Sequence, residues 1–439
     1  MAVAAKPLRN VAVLTLGCRL NQADSDAIAR RFAEVGCAVG HDPAGADVVV
    51  VNSCTVTHVA DRKARQLVRR ARRLSPEATV VLAGCYVDSA GSGLELHEAD
   101  LLIGNQGKDQ LVDLVFRWRT GEPAAPEAAG ERSGLRGLRT RAFIKIQDGC
   151  NDVCAFCIVP RVRGREKSRP IEELVDEARM HEAAGAREIV LTGTQLGHYG
   201  RDMGWEVGPR RILEAMLKST SIPRIRLSSL QPQDFSQPLV ELWADRRLCP
   251  HFHVPLQSGS ASVLARMRRR YDPGQYRVTI EMIRRGVPGA SITTDVIAGF
   301  PGETDREFEE TAELCRGVGF AAIHAFPYSI RKGTAAARMD GQVAPGVRDV
   351  RVRVLLEIGR ESGRRFREQM VGSTQPILWE EADEEGHALG LTPNFCRVRT
   401  AQPAALENTI GAALIDGVKG GVLVGEVVPA RGSAMRLAS

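Results

Sequence analysis

Cys150, Cys154 and Cys157 form a CxxxCxxC triplet directly behind a short apolar run, Ala142–Ile146, and this arrangement constrains the chain more than any other feature. Three thiols on one tight loop can hold three irons of a [4Fe–4S] cluster, because such clusters are ordinarily bound through cysteine thiolates. A fourth nearby cysteine is missing, which leaves one iron open to a small ligand. Structural zinc instead takes a closed set of four ligands, usually with a second ligand pair, so a zinc knuckle is the weaker reading.

A second set of cysteines has a different geometry. Cys18 follows Val11–Leu16 through Gly17, Cys54 follows Asp47–Val51 through Asn52 and Ser53, and Cys85 follows Thr79–Ala83 through Gly84. These apolar runs alternate with helical segments, Asp24–Val35 and a basic helix over His58–Leu74, and Leu101–Ile103 is a candidate fourth strand. The alternation predicts a parallel sheet covered by helices. All carboxyl ends of such a sheet lie on one edge, with the ligand crevice beyond it. The three cysteines are therefore expected to converge on a second three-thiol site. One of them alone would read as a small buried hydrophobe; three at equivalent strand ends do not. Cys37, Cys249, Cys315 and Cys396 have no motif spacing and are read as structural.

Further along, residues 121–137 hold Pro123, Pro126 and four glycines with no apolar period, the composition of a linker. Six candidate strands follow: Ala142–Ile146, Glu188–Leu191, Arg224–Leu227, His251–Val254, Ile292–Ala298 and Ala321–Phe326. They alternate with helices such as Ile171–Ala184, Val263–Arg270 and Asp305–Arg316. Six βα units are too few for an eight-stranded barrel and fit a partial, open one. Beyond Val371, the runs Pro376–Glu380, His387–Leu391, Phe395–Arg399 and Gly421–Val428 predict a small antiparallel barrel. The expected fold is α/β: an N-terminal parallel sheet domain (1–120), a linker (121–137), a partial (β/α)6 barrel (138–370) and a small β-barrel (371–439).

With 44% hydrophobic and 26% charged residues, the chain is of ordinary globular composition. No run approaches about 18 apolar residues, so no membrane span is expected. Met1–Val13 lacks an apolar core with a cleavage site, so export is not expected either. In such a chain ten cysteines point to metal or redox chemistry rather than disulfides, and to the cytoplasm. A net charge of +6 permits a polyanionic partner without requiring one.

CxxxCxxC after the first strand of an incomplete βα barrel resembles the radical S-adenosylmethionine (SAM) superfamily. The resemblance narrows with Thr15–Asn21 (TLGCRLN), Val51–Thr57 (VNSCTVT), Ala83–Cys85 (AGC), His253–Ser260 (HVPLQSGS), Asp295–Thr304 (DVIAGFPGET) and Tyr328–Thr334 (YSIRKGT). Together these look like the methylthiotransferases over nearly the whole chain. Thr15–Asn21, Leu191–Gly197 (LTGTQLG) and Arg226–Ser229 (RLSS) are most similar to the branch acting on N6-threonylcarbamoyladenosine in tRNA. The isopentenyladenosine branch usually reads Tyr-Gly-Cys-Gln-Met-Asn at the first motif, and a third branch modifies an aspartate of a ribosomal protein. Arg19-Leu20 stands where lysine-valine is commoner, and Gly390–Cys396 (GLTPNFC) is also unusual; both departures bear on substrate recognition.

The resemblance implies two [4Fe–4S] clusters, one on Cys150, Cys154 and Cys157 that cleaves SAM to a 5′-deoxyadenosyl radical, and an auxiliary one on Cys18, Cys54 and Cys85 that carries sulfur. It implies two SAM molecules per turnover, hydrogen abstraction from adenine C2, an electron donor such as flavodoxin or ferredoxin, a sulfur source, and tRNA as substrate. No catalytic residue beyond the cluster ligands is singled out. Thr192 and Gly193 at the end of the second barrel strand, Ser228 and Ser229 at the third, and His253 and Gln257 at the fourth are candidates for SAM or substrate contact, because a βα barrel works at its carboxyl end. Gly299–Glu303 adds a glycine-rich turn after the fifth strand. Two basic runs are candidates for tRNA phosphates: seven basic residues in Arg62–Arg73, which also read as a solvated helix face, and five in Arg161–Arg169. Of the second run, Arg161, Arg163, Arg165 and Arg169 are the named candidates. The last barrel resembles the RNA-binding TRAM module of the family, with Phe395 and Arg397 as candidate RNA contacts.

Overall fold

The computed structural model describes residues 8–90, 97–124, 140–205, 208–400 and 406–428. Its first sheet explains the valine-rich runs. The strands are β1 (Asn10–Thr15), β2 (Ala38–Gly40), β3 (Val48–Ser53), β4 (Thr79–Gly84) and β5 (Leu101–Ile103), all parallel in the order β2-β1-β3-β4-β5. The helices are α1 (Arg19–Glu34), α2 (His58–Leu74), α3 (Cys85–Ala90) and α4 (Leu111–Thr120). Val48 and Val50 pack with Ile28 and Phe32 of α1 and Leu111 and Val115 of α4, whereas Val49 and Val51 pack with Ala64 and Val68 of α2. A strand covered on both faces has no polar alternation, which is why β3 and β4 read as continuous apolar runs. The edge strand β2, three residues with little burial, left no such signal.

The linker expected over 121–137 lies outside the described residues from position 125 onward. The central region opens with β6 (Arg141–Asp148), α5 (Val159–Val162), β7 (Lys167–Ser168), α6 (Ile171–Ala183), β8 (Glu188–Gly193), α7 (Pro209–Ser219), β9 (Arg224–Leu227) and α8 (Gln237–Val240). It continues with β10 (His251–His253), α9 (Ala261–Arg266), α10 (Pro273–Gly286), β11 (Ser291–Ala298), α11 (Asp305–Val318), β12 (Ala322–Pro327) and α12 (Pro345–Glu368). Six parallel strands form two ladders, β6-β8-β9 and β10-β11-β12, joined by an isolated parallel bridge between Ile225 and Leu248 and by a backbone bond from Leu230 to His253. This is the partial barrel expected from the six runs. The two-residue β7 folds back antiparallel on β6 and was too short to read in the sequence.

The last unit is a closed barrel of β13 (Thr374–Ala382), β14 (Ala388–Leu391), β15 (Arg397–Thr400), β16 (Ile410–Lys419) and β17 (Val422–Val428) around fully buried Trp379. It is not wholly antiparallel: β15 and β17 pair parallel. An odd number of strands cannot alternate direction all the way round a closed ring, so five strands require a like-directed pair. The unexpected fifth strand is β16, whose Gly-Ala-Ala stretch gave little β signal; a Cβ on Gly411 would come within 3.1 Å of the Trp379 indole nitrogen.

This barrel docks on the amino ends of the central strands through arginines. Arg224 donates to the carbonyls of Leu391 and Pro376 at 2.8 and 2.9 Å, and Arg226 donates to Pro393 at 3.0 Å. Arg226 is also paired with Glu188 at 2.8 and 3.0 Å, both side chains fully buried. Breaking such a pair strands a buried charge, whereas replacing both members by apolar groups often costs little. Arg226→Met is therefore expected to lower the unfolding free energy by about 3–5 kcal/mol in urea titrations, and Arg226→Met with Glu188→Met to recover most of that loss.

Candidate active site

The three strand-end cysteines of the first sheet converge. β1, β3 and β4 are neighbours, so Cys18 (preceding α1), Cys54 (after β3) and Cys85 (first residue of α3) leave the same edge. Gly17 has φ +107°, and a Cβ there would lie 2.6 Å from Cys54 Cβ and 3.0 Å from its Sγ, so only glycine lets these two loops touch. Asn21 fastens them, donating to the carbonyls of Leu16 and Ser53 at 2.7 and 2.9 Å. Asn105 donates to Cys85 Sγ at 3.5 Å. Burial pushes the Cys54 thiol up to about 11, and the Cys18 and Cys85 sulfurs push in the same direction, as groups sharing one site do.

The second triad forms on the loop after β6. Gly149, at φ +69°, turns the chain where any Cβ would strike the Arg165 carbonyl, and Cys150 N–H bonds back to Gly164 at 3.0 Å. Cys150 Sγ accepts from the Asp152 amide at 3.4 Å, and Cys154 Sγ accepts from Arg269 at 3.1 Å. Burial raises Cys150 to about 12 and Cys157 to about 11, with the neighbouring sulfurs adding to the shift. All six cysteines are free thiols. Three sulfurs per site, one triad with N–H donors aimed at its sulfurs and a guanidinium beside it, suit an anionic iron–sulfur group.

The two triads face each other across one interface. Cys85 packs in a single buried cluster with Ile158 and Val162, the turn immediately after Cys157. Arg163, in the same turn, bonds Asp148 at 2.9 and 3.0 Å and Asp24 at 3.3 Å, and also holds Asn21. Asp24 of α1 in turn receives Lys108 at 2.8 Å and Lys145 at 2.6 Å. Three cations around it hold its buried carboxyl far below the usual carboxylate range despite desolvation. A second clamp closes the opposite side: Arg331, beyond β12, donates to Thr55 at 2.8 Å and Asp61 at 2.7 Å, beside Cys54.

The other candidate residues are scattered more widely. Thr192 is buried at the end of β8, and Gly193 stands where a Cβ would come within 2.8 Å of Leu196 and 3.1 Å of the Gln147 carbonyl. Ser228 is buried, with its amide on Leu191, while Ser229 is exposed. His253 bonds Thr293 at 2.9 Å and Asp295 at 3.1 Å. Gln257 adopts φ +65° and ties to β11 through backbone bonds with Asp295 and Ile297.

Of the basic run after the triad, Arg161 and Arg165 are exposed, but Arg163 is buried in the network just described and Arg169 is paired with Glu177 at 2.6 Å. In the first run, Arg65, Arg69 and Arg72 are bonded to Tyr86, Glu98 and Asp100, and Arg62, Lys63, Arg70 and Arg73 remain exposed. Arg397 is exposed on β15. Phe395 is not on the RNA-accessible surface expected for it: at φ +67° it turns inward and stacks on His251, with centroids 4.7 Å apart and planes 4° apart. The guanidiniums of Arg226, Arg19 and Arg141 surround its ring at 4.8, 5.2 and 5.7 Å.

Sequence reasoning missed Arg269, Asp24, Lys108, Lys145 and the reach of Arg331. Arg331 lies in the YSIRKGT motif and Arg269 within the candidate helix Val263–Arg270, but neither position signals a partner over a hundred residues away. Burial, together with Arg226 and Arg141, lowers Arg19 to about 10, which leaves it a cation at neutral pH.

The interface charges set an acid limit. Glu177 joins α6 to α1 through Arg30 at 2.8 Å, and its hydrogen bond to His181 and its pairing with Arg169 and Arg30 lower it to about 2 against the pull of burial. Because the folded value lies below the unfolded one, its contribution of about 3 kcal/mol is present above pH 4.5 and is lost as pH falls toward 2. In cluster-free protein Glu177→Gln should flatten the stability profile over that window, read as urea midpoints. Asp24→Asn should cost about 3–5 kcal/mol at neutral pH, by leaving its cations without their shared anion.

Comparison with known proteins agrees with this arrangement. Residues 144–315 match the Radical SAM superfamily, and residues 10–104 match Uncharacterized protein family UPF0004. The chain is 34% identical over 417 residues to the threonylcarbamoyladenosine tRNA methylthiotransferase MtaB of Bacillus subtilis, covering 89% of this chain and 90% of that one. It is 36% identical over 374 residues to the MtaB of Aquifex aeolicus, covering 82% and 90%. It is also 34% identical over 398 residues to the tRNA-2-methylthio-N(6)-dimethylallyladenosine synthase of Pelotomaculum thermopropionicum, covering 86% and 88%. Among solved structures, the radical SAM methyltransferase TsrM of Kitasatospora setae superposes with a TM-score of 0.55 at 15% identity over 72% of each chain, a likeness of fold alone. With two sheets delivering two cysteine triads to one interface, and relatives matched over most of both chains, the chain belongs to the radical SAM methylthiotransferase family.

Proposed function

We propose that this enzyme adds a 2-methylthio group to C2 of N6-threonylcarbamoyladenosine at position 37 of tRNA, in the cytoplasm. The observation that carries this reading is the packing of Cys85 against the Ile158–Val162 turn, which sets the strand-end triad beside the CxxxCxxC triad. Membership of the family implies a [4Fe–4S] cluster and SAM; Cys150, Cys154 and Cys157 would hold that cluster. Cys18, Cys54 and Cys85 would hold a second. When bound, the two groups supply reductive cleavage of SAM to a carbon-centred radical and a site for the sulfur that is transferred.

The chain's own residues do the positioning. Arg269 brings a positive charge against Cys154 Sγ, and Asn105 brings a neutral donor against Cys85 Sγ. Asp24 and Arg331 hold the two halves together at fixed spacing. Thr192, Gly193, Ser228, His253 and Gln257 stand at the carboxyl ends of the barrel strands, the place for SAM and the base. Exposed Arg161, Arg165 and Arg397 are assigned to tRNA phosphates, which give salt-dependent affinity without base reading. The domains are assigned as 1–120 for the auxiliary site, 138–370 for the radical core and 371–439 for RNA binding. A low-potential electron donor such as flavodoxin or ferredoxin and a sulfur source complete the reaction.

The name of the Pelotomaculum relative favours one alternative substrate, the isopentenylated adenosine. Anaerobic reconstitution with SAM, dithionite, sulfide and tRNA of each kind, followed by nucleoside mass spectrometry, decides between them. Threonylcarbamoyladenosine is expected to gain one methylthio group. Cys54→Ala should lose that product while still forming 5′-deoxyadenosine, and Cys154→Ala should lose both. A gain on the isopentenylated tRNA alone, or on a ribosomal-protein aspartate, refutes the assignment.

A further inference from the structure

Arg19 directly follows Cys18 and is the first residue of α1, yet its guanidinium lies inside the central barrel, 5.2 Å from the Phe395 ring centroid. Two other arginines stand around the same ring, and each has a carboxylate: Arg226 has Glu188 at 2.8 Å, and Arg141 has Glu380. The remaining acid nearby, Asp295, is taken by His253 at 3.1 Å. Among the described residues the Arg19 guanidinium has no hydrogen bond and no ion pair; it lies against the aromatic face, and Glu188 and Asp295 act on it only from longer range. A partly buried guanidinium in that state keeps its planar N–H fork free, and the fork matches a carboxylate bidentately.

We propose that Arg19 binds the carboxylate that ends the threonylcarbamoyl side chain of the substrate base, and so selects an acidic N6 substituent over an apolar one. This rests on the function proposed above and names the residue that would give it specificity. Adenine C2 and C6, the carbon that carries N6, belong to one six-membered ring with only N1 between them. A base with C2 turned toward the Cys18 site therefore brings its N6 substituent within side-chain reach of the residue next to Cys18. Phe395 on the other side of the guanidinium keeps it from swinging away, and excludes water that would weaken the pairing. An isopentenyl group offers no partner for the fork and would leave a desolvated cation unpaired, which is a penalty as well as a lost attraction.

The test uses the full-length protein with its clusters reconstituted anaerobically, and fluorescence anisotropy on anticodon stem-loops. One loop carries threonylcarbamoyladenosine, one the same group with its carboxylate converted to a carboxamide, and one isopentenyladenosine. Wild type is expected to bind the acid about tenfold or more tighter than the carboxamide, the range for a charge-assisted hydrogen-bond pair. Arg19→Gln should bind acid and carboxamide alike, and Arg19→Lys should restore part of the preference. The acid–carboxamide comparison in wild type needs no substitution, so it stands even if Arg19→Gln is unstable. No preference in wild type that still methylthiolates threonylcarbamoyladenosine overturns this inference alone, as does a preference that survives in Arg19→Gln. Methylthiolation of the isopentenyl loop, and not of the threonylcarbamoyl loop, overturns the substrate assignment and this inference with it.

Discussion

The carboxylate of Asp24, shared among Lys108, Lys145 and Arg163, is the interaction on which the working geometry depends. Its partners come from three places: Lys108 from the end of the first sheet, Lys145 from the first strand of the central barrel, and Arg163 from the turn just after the CxxxCxxC loop. One buried anion thus fixes the distance between two structures that fold around separate cores. An apolar interface would also hold the halves together, but it is non-directional and tolerates sliding. Charged groups with hydrogen-bond geometry do not, because each loses its partner if the surfaces shift. For two cysteine triads set at one interface, register matters more than adhesion.

The same device recurs where the small barrel meets the central one. Arg224 and Arg226 send their guanidiniums to the backbone carbonyls of Pro376 in β13, Leu391 at the end of β14 and Pro393 just beyond it, and Glu188 neutralises Arg226 within the barrel. Phe395 fills the space between three guanidiniums and stacks flat on His251. The unusual GLTPNFC segment is therefore a docking plug, not an RNA-facing loop. This also ties the C-terminal barrel to the inside of the central one, since Arg19 from the first domain and Phe395 from the last touch there.

Much of the fold was legible because buried parallel strands leave a direct mark. Val48–Val51 and Thr79–Ala83 are covered on both faces, so their apolar runs are unbroken, and the cysteine behind each is automatically on the ligand edge. β2, β7 and β16 left no such mark, being short, exposed at an edge or built from glycine and alanine. The basic runs were the least legible. Arg161 and Arg163 are two positions apart with the same chemistry, but one is exposed and the other lies against Asp24 and Asp148. What separates them is the half turn of the short helix α5 between them, and the neighbour it meets.

The sequence by itself determined the two cysteine triads, the strands that carry them and the family they belong to, because those depend on local spacing and on burial that is uniform along each strand. Only the tertiary structure decided that the triads share an interface, that Arg163 belongs to the scaffold, that Phe395 points inward, and that the Arg19 guanidinium has no ion pair among the described residues. Each of these rests on side chains that meet from distant parts of the chain, and a guanidinium's partner leaves no trace in the residues beside it.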